Sequence, residues 1–429
     1  MGRGNREEAP DQILGFYAKD PKCDKPAATG FDPRRVEQSE AASVWSTSSV
    51  SDPQIPSRVA IIHDWLPEVG GAEKVLEELI RVFPKADLFS LIDFLSERDR
   101  EFLQGRSVQT TFLQHLPGIR RFYRSCLPVM PLAVEHIDLS PYSLILSSSY
   151  AVAKGVITGP EQLHLCYCHS PMRYAWDLQE QYLAQSGNAS GFRGLLARAL
   201  LHYVRIWDTR TSNGVDAFAA NSRFVARRIW KVYRRKSCVI YPPVQIPDGV
   251  SQAQKRGNFF VSLGRLVPYK RVDLIVEAFR KMPQHELVVI GDGPERSALE
   301  RNLPGNVSLL GRLPRGAVLN LLMEARALIF AAEEDFGIAP VEAQGLGTPV
   351  IALGRGGSEE TVRHLQTGLL FPSQSALSIC DAVAQFETLD LDPQVLRNHA
   401  ARFSPENFRS RLSDWTLRQW KRFLARKGS

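Results

Sequence analysis

From Arg58 onward the chain alternates short apolar runs with longer segments in which apolar positions recur every three or four residues. The runs are "RVAIIHDW", "YSLILSSS", "LHLCYCHS" and "AFAANS", followed by "FFVSLGR", "ELVVIGDG", "NVSLLGR", "ALIFAA" and "TPVIAL". Runs that are continuously apolar rather than alternating suit strands buried on both faces, and strands separated by helices build parallel sheets. The pattern occurs twice, which predicts an α/β chain of two lobes. Between them lies "VIYPPVQIPDGV", where Pro242, Pro243 and Pro247 favour an extended, stiff connection. The expected division is therefore 58–242 and 243–405. Residues 1–57 have no sustained apolar period and predict a disordered tail. Residues 406–429 form a basic amphipathic pattern, with Trp415, Leu417, Trp420 and Phe423 near one stripe, and are expected to dock on a lobe.

Composition adds bounds to this picture. A chain of 429 residues with 44% hydrophobic content can build two cores of ordinary size. Its net charge of +7 points to polyanionic neighbours: phosphorylated ligands, an anionic membrane or nucleic acid. The tail holds seven Lys or Arg against nine acids, so the remaining chain is more basic than the total. The six cysteines are scattered, and Cys166 and Cys168 lack zinc-ligand spacing, so reduced thiols and no metal site are expected. No run approaches the roughly 18 apolar residues that span a bilayer, and the first residues lack a signal-peptide pattern. A soluble or peripheral protein is the expectation.

Chemistry concentrates where strands give way to helices. In "HDWLPEVGGAEKVLEELI", Gly70 and Gly71 precede a helical apolar period; they allow either a ligand near backbone amides or simply a tight turn. In "FFVSLGRLVPYKRVDLIVEAF", Arg265 and Lys270 follow a strand, where two cations can neutralise a diphosphate; a solvated basic loop is the alternative. "ELVVIGDGPE" places Gly291 at a similar turn but lacks a full dinucleotide or phosphate-loop spacing. "ALIFAAEEDFGIAPVEAQGLG" reads as strand, loop and helix. Here Glu334 precedes the helix, Glu342 lies within it, and the amides of Phe336, Gly337 and Ile338 stay free. Carboxylates for hydroxyls, and amides with cations for phosphate, match a nucleotide sugar.

"IIHDWLPEVGGAEKVLEEL", "CHSPMRYAWD", "GRLVPYKRVD" and "EDFGIAPVEAQGLGTPVIA" together resemble the retaining GT-B glycosyltransferases of family 4, most closely a WbaZ-like bacterial mannosyltransferase group. The resemblance implies two Rossmann-like lobes facing a central cleft, donor in the second lobe, acceptor in the first, and the last helix returning to the first lobe. It implies that Arg265 and Lys270 hold the donor diphosphate, Glu334 the transferred sugar and Glu342 the ribose. Phe336, Gly337 and Ile338 would meet sugar and phosphates, with Gly70, Gly71 and Gly291 nearby. His169 would lie beside the donor sugar as a transition-state stabiliser, and Arg173, Tyr174 and Trp176 on the acceptor side; a structural His169 and a core Trp176 are the plainer readings. The expected reaction retains anomeric configuration by attack from the leaving-group face, since no carboxylate stands out as a nucleophile, and needs no metal or cofactor. GDP-mannose is the preferred donor, with a UDP-sugar, a nucleotide-sugar 2-epimerase or a nucleic-acid-binding protein as alternatives.

The stretch "RFVARRIWKVYRRK" has seven cations and no acid. It reads as an outer helix face, a nucleic-acid surface or a contact with anionic lipid. Beside the family resemblance, lipid is preferred, assisted by "HLPGIRRFYRSCLPVM", with a lipid-linked or glycan acceptor and no nucleic acid. A cytoplasmic protein, peripheral at the inner face of the cell membrane, follows.

Overall fold

A computed structural model describes residues 56, 58–185, 190–246 and 256–427. The expected tail and the Pro247 end of the expected connection lie outside the described residues, apart from residue 56.

Two all-parallel sheets organise the chain. The first has strands β1 (Val59–His63), β2 (Asp87–Ser90), β3 (Val108–Thr110), β4 (Leu144–Ser149), β5 (Leu163–Cys168), β6 (Ala217–Ala220) and β7 (Ser237–Val239), in the order β3-β2-β1-β4-β5-β6-β7. The second has β8 (Phe259–Leu263), β9 (Glu286–Ile290), β10 (Val307–Gly311), β11 (Ala327–Phe330), β12 (Val350–Leu353) and β13 (Gly368–Phe371), in the order β10-β9-β8-β11-β12-β13. In each sheet the strand order reverses once, between β1 and β4 and between β8 and β11. Such a reversal opens a crevice at the carboxyl ends of the strands, where open α/β sheets bind ligands. Strands β1, β4 and β5 are buried along their whole length, including Ser147, Ser148 and Ser149 at the end of β4, and none carries a charged Asp, Glu, Lys or Arg.

The helices that matter for the cleft are α1 (Gly71–Val82), α2 (Gly191–Thr211), α3 (Arg223–Tyr233), α4 (Val272–Arg280), α5 (Arg315–Glu324), α6 (Ile338–Gly345) and α7 (Pro405–Lys427). Helix α1 places Val75, Leu76, Leu79 and Ile80 against the first sheet, the face its spacing anticipates. Helix α7 follows the second sheet in sequence but buries Phe408, Leu412, Trp415 and Trp420 in the first sheet's core. Phe408 meets Tyr167 of β5 edge-on at 5.6 Å, and Arg409 pairs with Glu78 of α1. After β7 the chain crosses to the other lobe: Val244 donates its amide to the Phe403 carbonyl at 2.8 Å and is buried with Phe336, Val341 and Phe403.

Candidate functional site

The two crevices face each other, and the chain places chemistry in both. On the first-lobe side, His63 ends β1 and is in register with Ser148 of β4. The Ser148 hydroxyl lies 3.1 Å from His63 Nδ1 and 2.8 Å from His169 Nε2. His63 Nε2 lies 3.4 Å from Glu73 Oε1, and the Gly70 amide donates to Glu73 Oε2 at 2.8 Å. Beside this row, the buried Asp64 carboxylate accepts the amides of Tyr150, Ala151, Val152 and Ala153, which fixes the turn after β4. Burial, with a smaller effect from His63, pulls the His169 imidazole down to about 3, so the ring is neutral at physiological pH.

On the second-lobe side, Gly264 follows β8, and Lys270 reaches back beneath it over the Phe330 ring at 5.5 Å. Lys270 forms an ion pair with Glu334. Arg265 is exposed, and no ion pair or side-chain hydrogen bond of its own is found among the described residues. The amides of Phe336 and Gly337 likewise make no hydrogen bond among the described residues. Gly337 has φ 90°, a conformation that L side chains rarely adopt, and it turns the chain into α6. Gly291 lies against the Gly264 carbonyl. Glu342, inside α6, is held by both terminal nitrogens of Arg315 at the start of α5.

The lobes touch at the site itself. A Cβ on Gly71 would come within 2.8 Å of Ile338 Cδ1, so the glycine pair lies against the start of α6. Asp335, between Glu334 and Phe336, accepts from Arg228 of α3 at 2.7 Å and has Arg173 at 3.7 Å. Arg228 also bonds Ser170 and Asp177, and Arg173 donates to the Glu333 carbonyl at 3.3 Å while stacking over Tyr269. Burial works against the Arg173 charge, but Asp335, Asp177 and Glu334 outweigh it and hold the guanidinium above its ordinary value.

These positions refine the sequence reading in three places. Arg173, expected on the acceptor side, spans the cleft to the Glu333–Asp335 loop. Tyr174 packs edge-on against Tyr182 with its hydroxyl buried and unbonded, and Trp176 donates to the buried Asp208. The basic stretch 223–236 is largely engaged within the protein: the Arg223 and Phe224 amides donate to Glu360, Arg227 faces Glu359, and Arg235 bonds three backbone carbonyls. Exposed apolar side chains run along α2, at Phe192, Leu195, Leu196, Tyr203 and Ile206, and occur also at Leu116, Phe122 and Val129 of the other segment expected to meet lipid and at Trp230 of the basic stretch. Among the described residues no helix is long and apolar enough to cross a membrane, and no cluster of metal-ligating side chains occurs.

Sequence reasoning missed His63, Glu73, Ser148, Arg228, Asp335 and Arg315. His63 and Glu73 stand inside the motif read for its glycines, and Asp335 inside the one read for its glutamates. Their partners come from β4, α3 and α5, which only the fold brings near.

A family model for group 1 glycosyl transferases matches residues 248–403, and one for glycosyltransferase family 4 matches residues 69–246. A D-inositol 3-phosphate glycosyltransferase of Mycobacterium leprae is 30% identical over 209 residues, covering 40% of this chain and 49% of that protein. A GDP-mannose-dependent alpha-(1-6)-phosphatidylinositol monomannoside mannosyltransferase of Mycobacterium tuberculosis is 28% identical over 246 residues, covering 49% and 60%. The chain thus spans about half the length of the curated relatives it matches. Among solved structures, sucrose-phosphate synthase of Thermosynechococcus elongatus superposes with TM-score 0.61 at 17% identity, covering 85% of this chain and 99% of that one. Anabaena HepE, in complex with UDP and glucose, does so with TM-score 0.58 at 18% identity, covering 83% and 98%. With one family model on each lobe and the two-sheet architecture shared with these structures, the chain belongs to the GT-B glycosyltransferases of family 4.

Proposed function

We propose that the protein is a retaining hexosyltransferase that moves mannose from GDP-mannose to a lipid-linked sugar or polysaccharide-precursor acceptor. The observation that carries this reading is the cluster at the carboxyl ends of β8 and β11. It combines the exposed Arg265, the Lys270–Glu334 pair and the amides before α6, with no partner for Arg265 or for those amides among the described residues. Lys270 and Glu334 neutralise each other. An incoming nucleotide sugar separates them, its diphosphate taking Lys270, Arg265 and the amides, and its sugar hydroxyls taking Glu334. Glu342 exchanges Arg315 for the ribose.

Chemistry then rests on positioning and charge. The cations and helix amides stabilise the leaving diphosphate, and the closed cleft excludes water while holding the acceptor hydroxyl against the anomeric carbon. His169, neutral beside the sugar, offers a hydrogen bond rather than a charge. Departure of the nucleoside diphosphate and attack on the same face would preserve configuration, with the hydroxyl proton passing to the leaving phosphate oxygen. This route calls on no metal or cofactor. The mannose assignment draws support from the mycobacterial GDP-mannose-dependent relative. An anionic membrane supplies the acceptor through the α2 stripe; the helix's single acid, Asp208, is buried with Lys154 and leaves no negative charge on that face.

Isothermal titration with GDP, UDP and ADP tests the donor. GDP is expected to bind at least tenfold more tightly than the others, a difference of about 1.4 kcal/mol. Preference for UDP would replace GDP-mannose with a UDP-sugar.

A further inference from the structure

Glu73 is a buried acid in the first turn of α1, 5% exposed, and none of the donor and acceptor contacts proposed above calls on it. By itself it would be an ordinary helix-start residue, since a Glu at that position commonly bonds the amide three residues before it. Its second oxygen changes this. It meets His63, also buried, and the row continues through Ser148 to His169.

The direction of the hydrogen bonds along that row follows from the groups. A carboxylate only accepts, so His63 Nε2 carries a hydrogen and points it at Glu73. In a neutral His63 this leaves Nδ1 bare, and Nδ1 accepts from the Ser148 hydroxyl. The Ser148 oxygen can then accept only from His169, whose Nε2 must carry its hydrogen. With His63 neutral, His169 Nδ1 is therefore bare, and no hydrogen bond to it is found among the described residues. Three bonds away, the acid decides which nitrogen of the active-site histidine accepts and which donates.

We propose that Glu73, through His63 and Ser148, is a positioning residue that sets the tautomer of His169, presenting Nδ1 as a hydrogen-bond acceptor to a sugar hydroxyl. The same carboxylate holds the Gly70 amide, so the tautomer and the Gly70–Gly71 turn against Ile338 are fixed together. The catalytic consequence rests on the glycosyltransferase reading; the tautomer does not.

Glu73→Gln separates the two roles of this side chain. The amide oxygen keeps the Gly70 bond, so the helix start survives, while the amide NH2 now faces His63 and requires a bare Nε2. Every bond in the row then reverses, and His169 carries its hydrogen on Nδ1. Nitrogen-15 imidazole spectra of the full chain read this directly. The expected result is a His169 signal that moves from the Nε2–H to the Nδ1–H tautomer, unchanged far-ultraviolet circular dichroism, and a kcat lower by about 10- to 100-fold with donor KM altered little. In a Ser148→Ala background Glu73→Gln is expected to leave the His169 tautomer unaffected. A His169 tautomer indifferent to Glu73→Gln, or one that responds equally without Ser148, overturns the proposal. If the tautomer switches but no nucleotide sugar is ever turned over, the positioning role stands and the assigned function falls.

Discussion

Lys270 and Glu334 share one patch of the cleft, and their pairing gives opposite consequences for removing either. Glu334→Ala frees Lys270 for phosphate, so GDP affinity is expected to hold or rise while kcat falls roughly 100-fold, in the range for losing one preorganised polar contact to the transition state. Lys270→Ala leaves an unpaired carboxylate facing the diphosphate, and GDP binding is expected to weaken by about 1.5–3 kcal/mol. Titration calorimetry beside steady-state kinetics checks both; normal turnover by Glu334→Ala would remove its assigned role. The sequence motifs made these two residues legible because both lie within a few positions of a strand end. They did not show that the side chains pair with each other, nor that Asp335 between two motif residues faces the other lobe. Contacts of that kind join positions far apart in the chain, 64 residues for Lys270 and Glu334 and 107 for Arg228 and Asp335, and no local pattern encodes them.

At the scale of elements, the Arg228–Asp335–Arg173 cluster ties α3 and the chain after β5 to the loop before α6. Arg228 is mostly buried, so cutting its partner leaves a desolvated charge. Asp335→Asn is expected to lower kcat/KM about tenfold or more, the effect of 1.4 kcal/mol, and to increase the radius of gyration in solution scattering as the lobes part. An unchanged radius and rate would show that the cluster does not hold the cleft. Helix α2 carries a separate expectation: Leu195→Asp with Ile206→Asp should abolish sedimentation with phosphatidylglycerol vesicles while leaving GDP affinity intact. Equal sedimentation of wild type and variant would exclude α2 as the lipid-facing surface. The long buried strands were readable from their apolar runs, but β2, β3, β7 and β13 were not. β3 and β7 are three-residue edge strands that are only partly buried, β2 opens on the exposed Asp87, and β13 is an edge strand opening on a glycine. The solvent-facing stripe of α2 escaped notice because a helix hydrophobic on two sides carries little periodic contrast.

The whole molecule stores neutral histidines in its interior, and this shapes its stability with pH. Burial pulls His164 down to about 4 and His169 to about 3, from an ordinary value of 6.5. The unfolded chain binds these protons first, so stability is complete above pH 6.5 and falls as pH drops toward those lower values. Urea midpoints should therefore decline already between pH 6.5 and roughly 5, where exposed carboxylates remain mostly ionised; a flat profile there would contradict neutral burial. Two Rossmann-like sheets, each with one reversal, explain why the chemistry gathers where it does: the crevices at β1/β4 and β8/β11 oppose one another, and α7 closes back on the first lobe. The most direct test of the account is transfer itself. The full chain is incubated with labelled GDP-mannose, UDP-glucose and related nucleotide sugars in the presence of bacterial membrane lipid extract, and products are identified by mass spectrometry. A hexose added to a lipid-linked acceptor, from GDP-mannose in preference to UDP-sugars and lost in Glu334→Ala, is the expected result. The absence of both transfer and hydrolysis with every nucleotide sugar would contradict it.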